Sequence, residues 1–372
     1  MRKKSVLALV LVAGILVGGC GASENKESAE NEPSKPIAEM TMDELVAAAQ
    51  EEGVFETVAM ADDWCNWKGS WDKIYEKYGI EHYDTDMSSA EVLAIFEAEK
   101  DDPTKDFGDV GHSFSKLAVE QDVVQSFKPS TWDSIPDWAK DPDGKWIMSY
   151  TGTIAFGVNT DLTGGEVPET WQDFAEGDYK VTPGNVIGGA APQIAVISCA
   201  IANGGSLDNV QPGIDFFKKL AEDGRIDPGD TNYARVVSGE IAVNCGQYDF
   251  LMLGNKNTIE EEGIDIPFEV SIPQDGAVTS GYCLVLNKYA PHPHAAALAI
   301  EYLLSDEGQL DRAEGFARPI RDDVEIPEEI QAKMLPDSEY ENAIAVTDID
   351  ELTSACEEVA RLWEEQVVPL LN

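Results

Sequence analysis

The sequence predicts an α/β fold of two lobes joined by two crossover strands, and three observations predict it. The stretch Trp146–Leu162 (WIMSYTGTIAFGVNTDL) reads as two short strands hinged at Gly152. Past the hinge, Ile154, Phe156 and Val158 alternate with Ala155, Gly157 and Asn159, the period of two that marks a strand. A second stretch of this kind runs from Val278 to Asn287. The blocks around these two stretches alternate strand and helix, and 372 residues give room for about two domains of ordinary size. The expected division is a leader over 1–20, a tether over 21–38, a first lobe over 39–152, a second lobe over 153–280, and a return to the first lobe over 281–372. The last helices of that return could also pack on the second lobe.

Taken in order, the chain opens with Arg2, Lys3 and Lys4, then an apolar run from Val6 to Val17 that is too short for a membrane span. The run ends in Val17-Gly18-Gly19-Cys20, small residues before a cysteine, which reads as a processed leader whose Cys20 becomes the lipidated first residue. Residues Gly21–Pro36 are polar, charged and Pro-containing, with too little apolar surface to offset ordering entropy, and read as a flexible tether. Thr41 and Glu44 stand at capping-box spacing ahead of a helix that Gly53 stops. Strands follow over Val54–Met60, Ile80–Tyr83 and Phe107–Gly111, with helices over Ser70–Tyr78, over Ala90–Lys100 and from Ser113. In the middle block Thr170 caps a short helix, a strand near Tyr179–Val181 leads to an apolar helix over Pro192–Ala202, and an amphipathic helix runs over Pro212–Asp223. A strand over Ile241–Asn244 carries Gly246-Gln247-Tyr248-Asp249 as a loop at its end. After the second crossover, Ala297, Ile300, Leu303 and Leu304 recur at helical spacing, Ser305 caps a helix from Asp306, and an amphipathic helix over Glu351–Val367 closes the chain.

Such alternation argues for mostly parallel sheets covered on both faces, and in these sheets ligands collect at the carboxyl ends of the strands. That rule selects the loops Asp62–Trp67, Asp84–Ser89 and Asp109–Ser113.

The net charge of −44 argues against a nucleic-acid partner, since phosphate binding rests on Lys and Arg. The cysteines show no CxxC pair and no zinc spacing; Cys199 and Cys356 fall on apolar helix faces and read as core. There is no GxSxG elbow, HExxH, P-loop or strand-anchored GxGxxG. No catalysis, no cofactor and no metal site are therefore expected. His292 and His294, which flank Pro293, read as an exposed helix entry.

Several stretches, VPETWQDF, GIDFFKKLAEDG, VSGEIAV, NKYAPHPHAAALAIEYLLSDEGQ and GFARPI, together resemble the extracellular solute-binding proteins of ABC importers, in the branch of ferric-iron, polyamine, thiamine and phosphonate binders. The resemblance covers about Thr41 to Ala317. It implies a type II periplasmic-binding-protein fold, a monomer held at the outer face of the cell membrane by its lipid, a small-molecule solute as ligand, and a permease and ATPase as partners. Ferric-iron members carry adjacent tyrosines where this chain has Gly246-Gln247-Tyr248-Asp249, so the resemblance leaves iron as the alternative to an amine-containing solute such as a polyamine or aminophosphonate.

The candidate ligand residues follow from the strand-end rule. Asp63 and Trp64 form an acidic-aromatic loop in the first lobe, with Asp109 at the next strand end, and Tyr248 and Asp249 form another in the second; a carboxylate beside an aromatic ring suits a cationic amine. Ser88 and Ser89 open a helix whose free N–H groups suit an anion, or form a plain N-cap. Gly189 and Ala190 precede the Pro192 helix, where small residues let backbone approach a ligand. Tyr150, Thr151 and Tyr282 would line the floor between the lobes, and Arg318 is the one cation to watch.

Overall fold

The computed structural model describes residues 35–371; the leader with its Cys20, and all of the tether before Lys35, lie outside the described residues. The first half builds on β1 (Val54–Val58), α1 (Met42–Glu52), α2 (Trp67–Tyr78), β2 (Glu81–Thr85), α3 (Ser89–Ala98), β3 (Phe107–Gly111) and α4 (His112–Glu120). Thr41 and Glu44 form the expected capping box on α1, and Gly53 (φ 70°) ends it. β1 lies between β2 and β3, parallel to both.

The stretch read as two strands hinged at Gly152 is a single strand, β4 (Ile147–Asn159). Its first part, through Thr153, pairs with the later strand over Val278–Leu286, and its second part, from Ile154, pairs with strands of the other half. Gly152 is thus no break in the strand. Glycine is required there because a Cβ would stand 2.6 Å from the Phe250 ring.

The middle block contains α5 (Trp171–Glu176), β5 (Val181–Thr182), α6 (Ala190–Ala202), α7 (Gln211–Glu222), α8 (Tyr233–Val237), β6 (Val243–Tyr248), α9 (Asp249–Glu262) and β7 (Phe268–Ser271). Here the sequence reading of Gly246–Asp249 as a loop is corrected. Gly246, Gln247 and Tyr248 continue β6, and Asp249 begins α9, a helix of 14 residues that Gly263 ends at φ 65°. The return is β8 (Val278–Leu286), α10 (Pro293–Leu303), α11 (Asp306–Glu314), β9 (Arg318–Pro319), α12 (Glu328–Gln331), β10 (Ile344–Ala345) and α13 (Ile349–Gln366).

The strand order β2-β1-β3-β8-β4-β6-β5 places β8 and β4 between the two halves, with β9 on β4 and β10 on β8. α13 packs on both: Trp363 meets Phe217 of α7 edge-on at 5.3 Å, while Thr353 donates to the Ser113 carbonyl of α4. The start of α10 is not an exposed entry. The Asp106 carboxylate takes the His292 N–H, and Glu52 takes the N–H groups of His294 and Ala295, so two distant carboxylates satisfy the helix's first donors.

Candidate binding cleft

A cavity of about 450 Å³ opens between the two halves. One wall is built at the carboxyl ends of β1, β2 and β3, as the strand-end rule demands. It carries Asp63 and Trp64 after β1, Asp86, Ser88, Ser89 and Glu91 around the start of α3, Asp109 on β3, and Tyr282 on β8. The other wall carries Asn185, Gly189 and Ala190 at the start of α6, Asp230 to Tyr233 at the start of α8, Gln247 on β6, and Leu251 and Asn255 on α9.

The walls differ in chemistry. Four of the five carboxylates in the lining, Asp63, Asp86, Glu91 and Asp109, stand on the first wall; amides and hydroxyls dominate the second, with Asp230 beside them. Among the described residues no Lys, Arg or His lines the cavity.

Asp109 is the floor of the acidic wall, 1% exposed. Trp64 Nε1 donates to the Tyr150 hydroxyl at 2.7 Å, and that hydroxyl donates to Asp109 Oδ2 at 2.5 Å. The relay fixes one carboxylate oxygen, while Asp109 Oδ1 is buried with no partner. Burial holds the Asp109 carboxyl well above its usual range. Asp86 is raised too, first by burial and then by the nearby charges of Asp84, Asp63 and Glu91. A cation in the cleft would relieve both. The aromatic rings around the relay are set by the strands: Tyr282 stacks on Tyr150 at 5.7 Å, and Trp64 meets Phe250 and Tyr282 edge-on at 5.2 and 5.5 Å.

Of the residues singled out in the sequence, Asp63, Trp64, Ser88, Ser89, Asp109, Gly189, Ala190 and Tyr282 line the cavity, and Tyr150 lies directly beneath it. The helix start at Ser88 is not vacant: Glu91 accepts its N–H at 2.8 Å and its hydroxyl at 2.7 Å, while Ser89 Oγ accepts the Gly111 N–H at 3.0 Å. Four residues lie elsewhere. Thr151 pairs with Gly281 and Arg318 within the sheet. Tyr248 is buried against Phe250 at 5.7 Å. Asp249 accepts the Thr153 N–H at 2.9 Å and the Tyr340 hydroxyl at 2.6 Å, and Arg318 lies over the Tyr340 ring at 4.2 Å, so both belong to a contact behind β4.

For Tyr248 and Asp249 the physical reason is that the segment read as a loop is strand and helix start. With β6 running to Tyr248, side-chain alternation turns Gln247 and Tyr248 to opposite faces, and Gln247 is the one that reaches the cleft. Asn185, Asp230 to Tyr233 and Asn255 carried no sequence signal beyond their place at helix starts and on α9.

The walls touch beside the cavity. A Cβ on Gly111 would lie 2.0 Å from the Ala190 Cβ, and one on Gly188 would lie 3.5 Å from Ser88 Oγ. Among the described residues no group of three or more His, Cys, Asp or Glu could hold a metal ion. Cys65, Cys199, Cys245, Cys283 and Cys356 are buried and free, and no helix among the described residues is long and apolar enough to cross a membrane.

Residues 102–355 match the model of the bacterial extracellular solute-binding proteins. The chain belongs to that family. Solved structures agree on its fold. A periplasmic binding protein, AfuA from Actinobacillus pleuropneumoniae, with fructose-6-phosphate bound, is 18% identical and matches with a TM-score of 0.68 over 85% of this chain and 98% of its own. The Atu4243 GABA receptor is 18% identical, with a TM-score of 0.60 over 84% and 96%. Iron-bound HitA from Pseudomonas aeruginosa is 16% identical, with a TM-score of 0.64 over 84% and 98%. The comparison with curated protein sequences returns no match. The solute-binding protein described here therefore has the two-lobed type II periplasmic-binding fold, and its cleft lies between the lobes.

Proposed function

We propose that this solute-binding protein is the receptor of an ABC importer, anchored outside the cell through a lipid on Cys20, and that it captures a small amine-containing solute for a permease and its ATPase. The lobes would divide near 152/153 and 280/281, with β4 and β8 as the crossovers about which they close. One observation carries the ligand class: among the described residues the cleft is lined by five carboxylates and by no Lys, Arg or His, with Trp64 and Tyr282 also in the lining and one oxygen of Asp109 without a partner. An ammonium group satisfies that oxygen and the aromatic faces together. One structural relative is a GABA receptor, which supports an amine. Another relative was solved with fructose-6-phosphate bound, whereas the described lining here has no Lys, Arg or His to pair with a phosphate.

A thermal-shift and calorimetric panel on the chain from Glu39 onward tests the reading, with putrescine, 4-aminobutan-1-ol, glucosamine, GABA, 2-aminoethylphosphonate, fructose-6-phosphate and ferric citrate. A ligand at 1,000 times its Kd stabilises by about 4 kcal/mol, well within detection. Binding of amines, weakened by Asp109→Asn about 30-fold or more, is the expected result. Binding confined to the sugar phosphate, or to iron with a tyrosinate colour, would refute the amine reading.

A further inference from the structure

Taking the solute to be an amine, as above, leaves open what the rest of it carries. Two buried acceptors in the cleft walls lack a partner. Asp109 Oδ1 is one; Gln247 Oε1, on the opposite wall, is the other. The Gln247 amide is oriented by its own Nε2, which donates to Thr231 Oγ1 at 3.0 Å. A buried acceptor left unpaired costs about 1–3 kcal/mol, so a ligand donor belongs at each.

Both acceptors call for donors, and the described lining offers an anion no cationic side chain. The start of α3 already has the Glu91 carboxylate on Ser88. The start of α6 is pressed against β3, where Ala190 meets Gly111. A carboxylate or phosphonate end would instead face Asp86, Glu91 or Asp230 with no counter-charge in the lining.

We infer that the cleft selects an organic cation that bears a hydroxyl or second N–H donor and no anionic group, with its ammonium on Asp109 Oδ1 and its donor on Gln247 Oε1. Amino alcohols and amino sugars are the chemical class. A cavity of about 450 Å³ accommodates a molecule of monosaccharide size. Gln247 is then a specificity-determining residue: it does not set whether amines bind, but which amine.

The test is calorimetric titration of the chain from Glu39 onward with two matched series. One is n-butylamine, 4-aminobutan-1-ol and GABA; the other is glucose, glucosamine and glucosamine 6-phosphate. The expected order has the amino alcohol and glucosamine each at least about tenfold tighter than the other members of their series, a difference of about 1.4 kcal/mol. Gln247→Leu should abolish the advantage of 4-aminobutan-1-ol over n-butylamine, the readout being the ratio of the two affinities. If GABA or glucosamine 6-phosphate binds as tightly as its cationic counterpart, the exclusion of anions is wrong while the amine reading stands. If Gln247→Leu leaves the hydroxyl advantage intact, the placement on Gln247 is wrong. If glucose binds as tightly as glucosamine, or no amine binds, the amine reading falls and this selectivity with it.

Discussion

Gly111→Ala is the sharpest test of how the cleft closes. Gly111 ends β3 at φ −56° and ψ 147°, a conformation open to any residue, so glycine is not needed for the backbone. It is needed for space: the added Cβ would stand 2.0 Å from the Ala190 Cβ. Carbon atoms in contact settle about 3.5–4.0 Å apart, so one methyl requires α6 to withdraw by roughly 1.5–2 Å. That shift moves groups of the second wall out of hydrogen-bond range of a ligand held on the first. Losing one or two such bonds, at about 1.5 kcal/mol each, weakens binding by about 10- to 150-fold. The substitution removes no polar group from the lining, so calorimetry should show a weaker Kd with little change in the melting temperature of the free protein. Small-angle scattering with ligand should show incomplete closure. The compensating change is defined as well: the new Cβ would be 3.6 Å from the Ala190 Cα, an ordinary contact, so Ala190→Gly in the same chain should restore affinity. Wild-type affinity in Gly111→Ala, or no recovery in the double variant, would refute the reasoning.

Further predictions concern stability. Asp249→Asn should leave solute affinity unchanged and lower stability by about 1–3 kcal/mol, because Asp249 is buried on the Thr153 N–H and the Tyr340 hydroxyl and does not line the cleft; denaturant unfolding and titration of the variant separate the two effects. His82 is half-buried against Trp71, with ring centroids 4.2 Å apart, and that burial lowers its pKa to about 3. The folded chain keeps it neutral while the unfolded chain protonates near 6.5, so its contribution is whole above pH 6.5 and is lost as pH falls toward 3, amounting to about 2 kcal/mol at pH 5. His82→Gln should flatten that part of the stability curve between pH 7 and 5; an unchanged slope would contradict it. With a net charge of −44, the melting temperature should rise from low to molar NaCl as self-repulsion is screened, and a flat salt response would contradict this.

The sequence by itself determined the periodic features. The βα alternation gave the sheet halves, the apolar stretches Trp146–Leu162 and Val278–Asn287 gave the strands that join them, and the strand-end rule found Asp63, Trp64, Ser88, Ser89 and Asp109 on one wall. These are local signals, since period and capping act within a few residues. The resemblance of short motifs also led to the family that the match over 102–355 establishes. Only the tertiary structure decided which face of β6 meets the cleft, because a strand mistaken for a loop loses its alternation, and Gln247 was passed over for Tyr248 and Asp249. Only it showed that Tyr340, some 90 residues further along the chain, covers Asp249 from behind β4. It alone set Tyr150 beneath Asp109 and brought Ala190 against Gly111, since such contacts depend on how two lobes pack and leave no period in the chain.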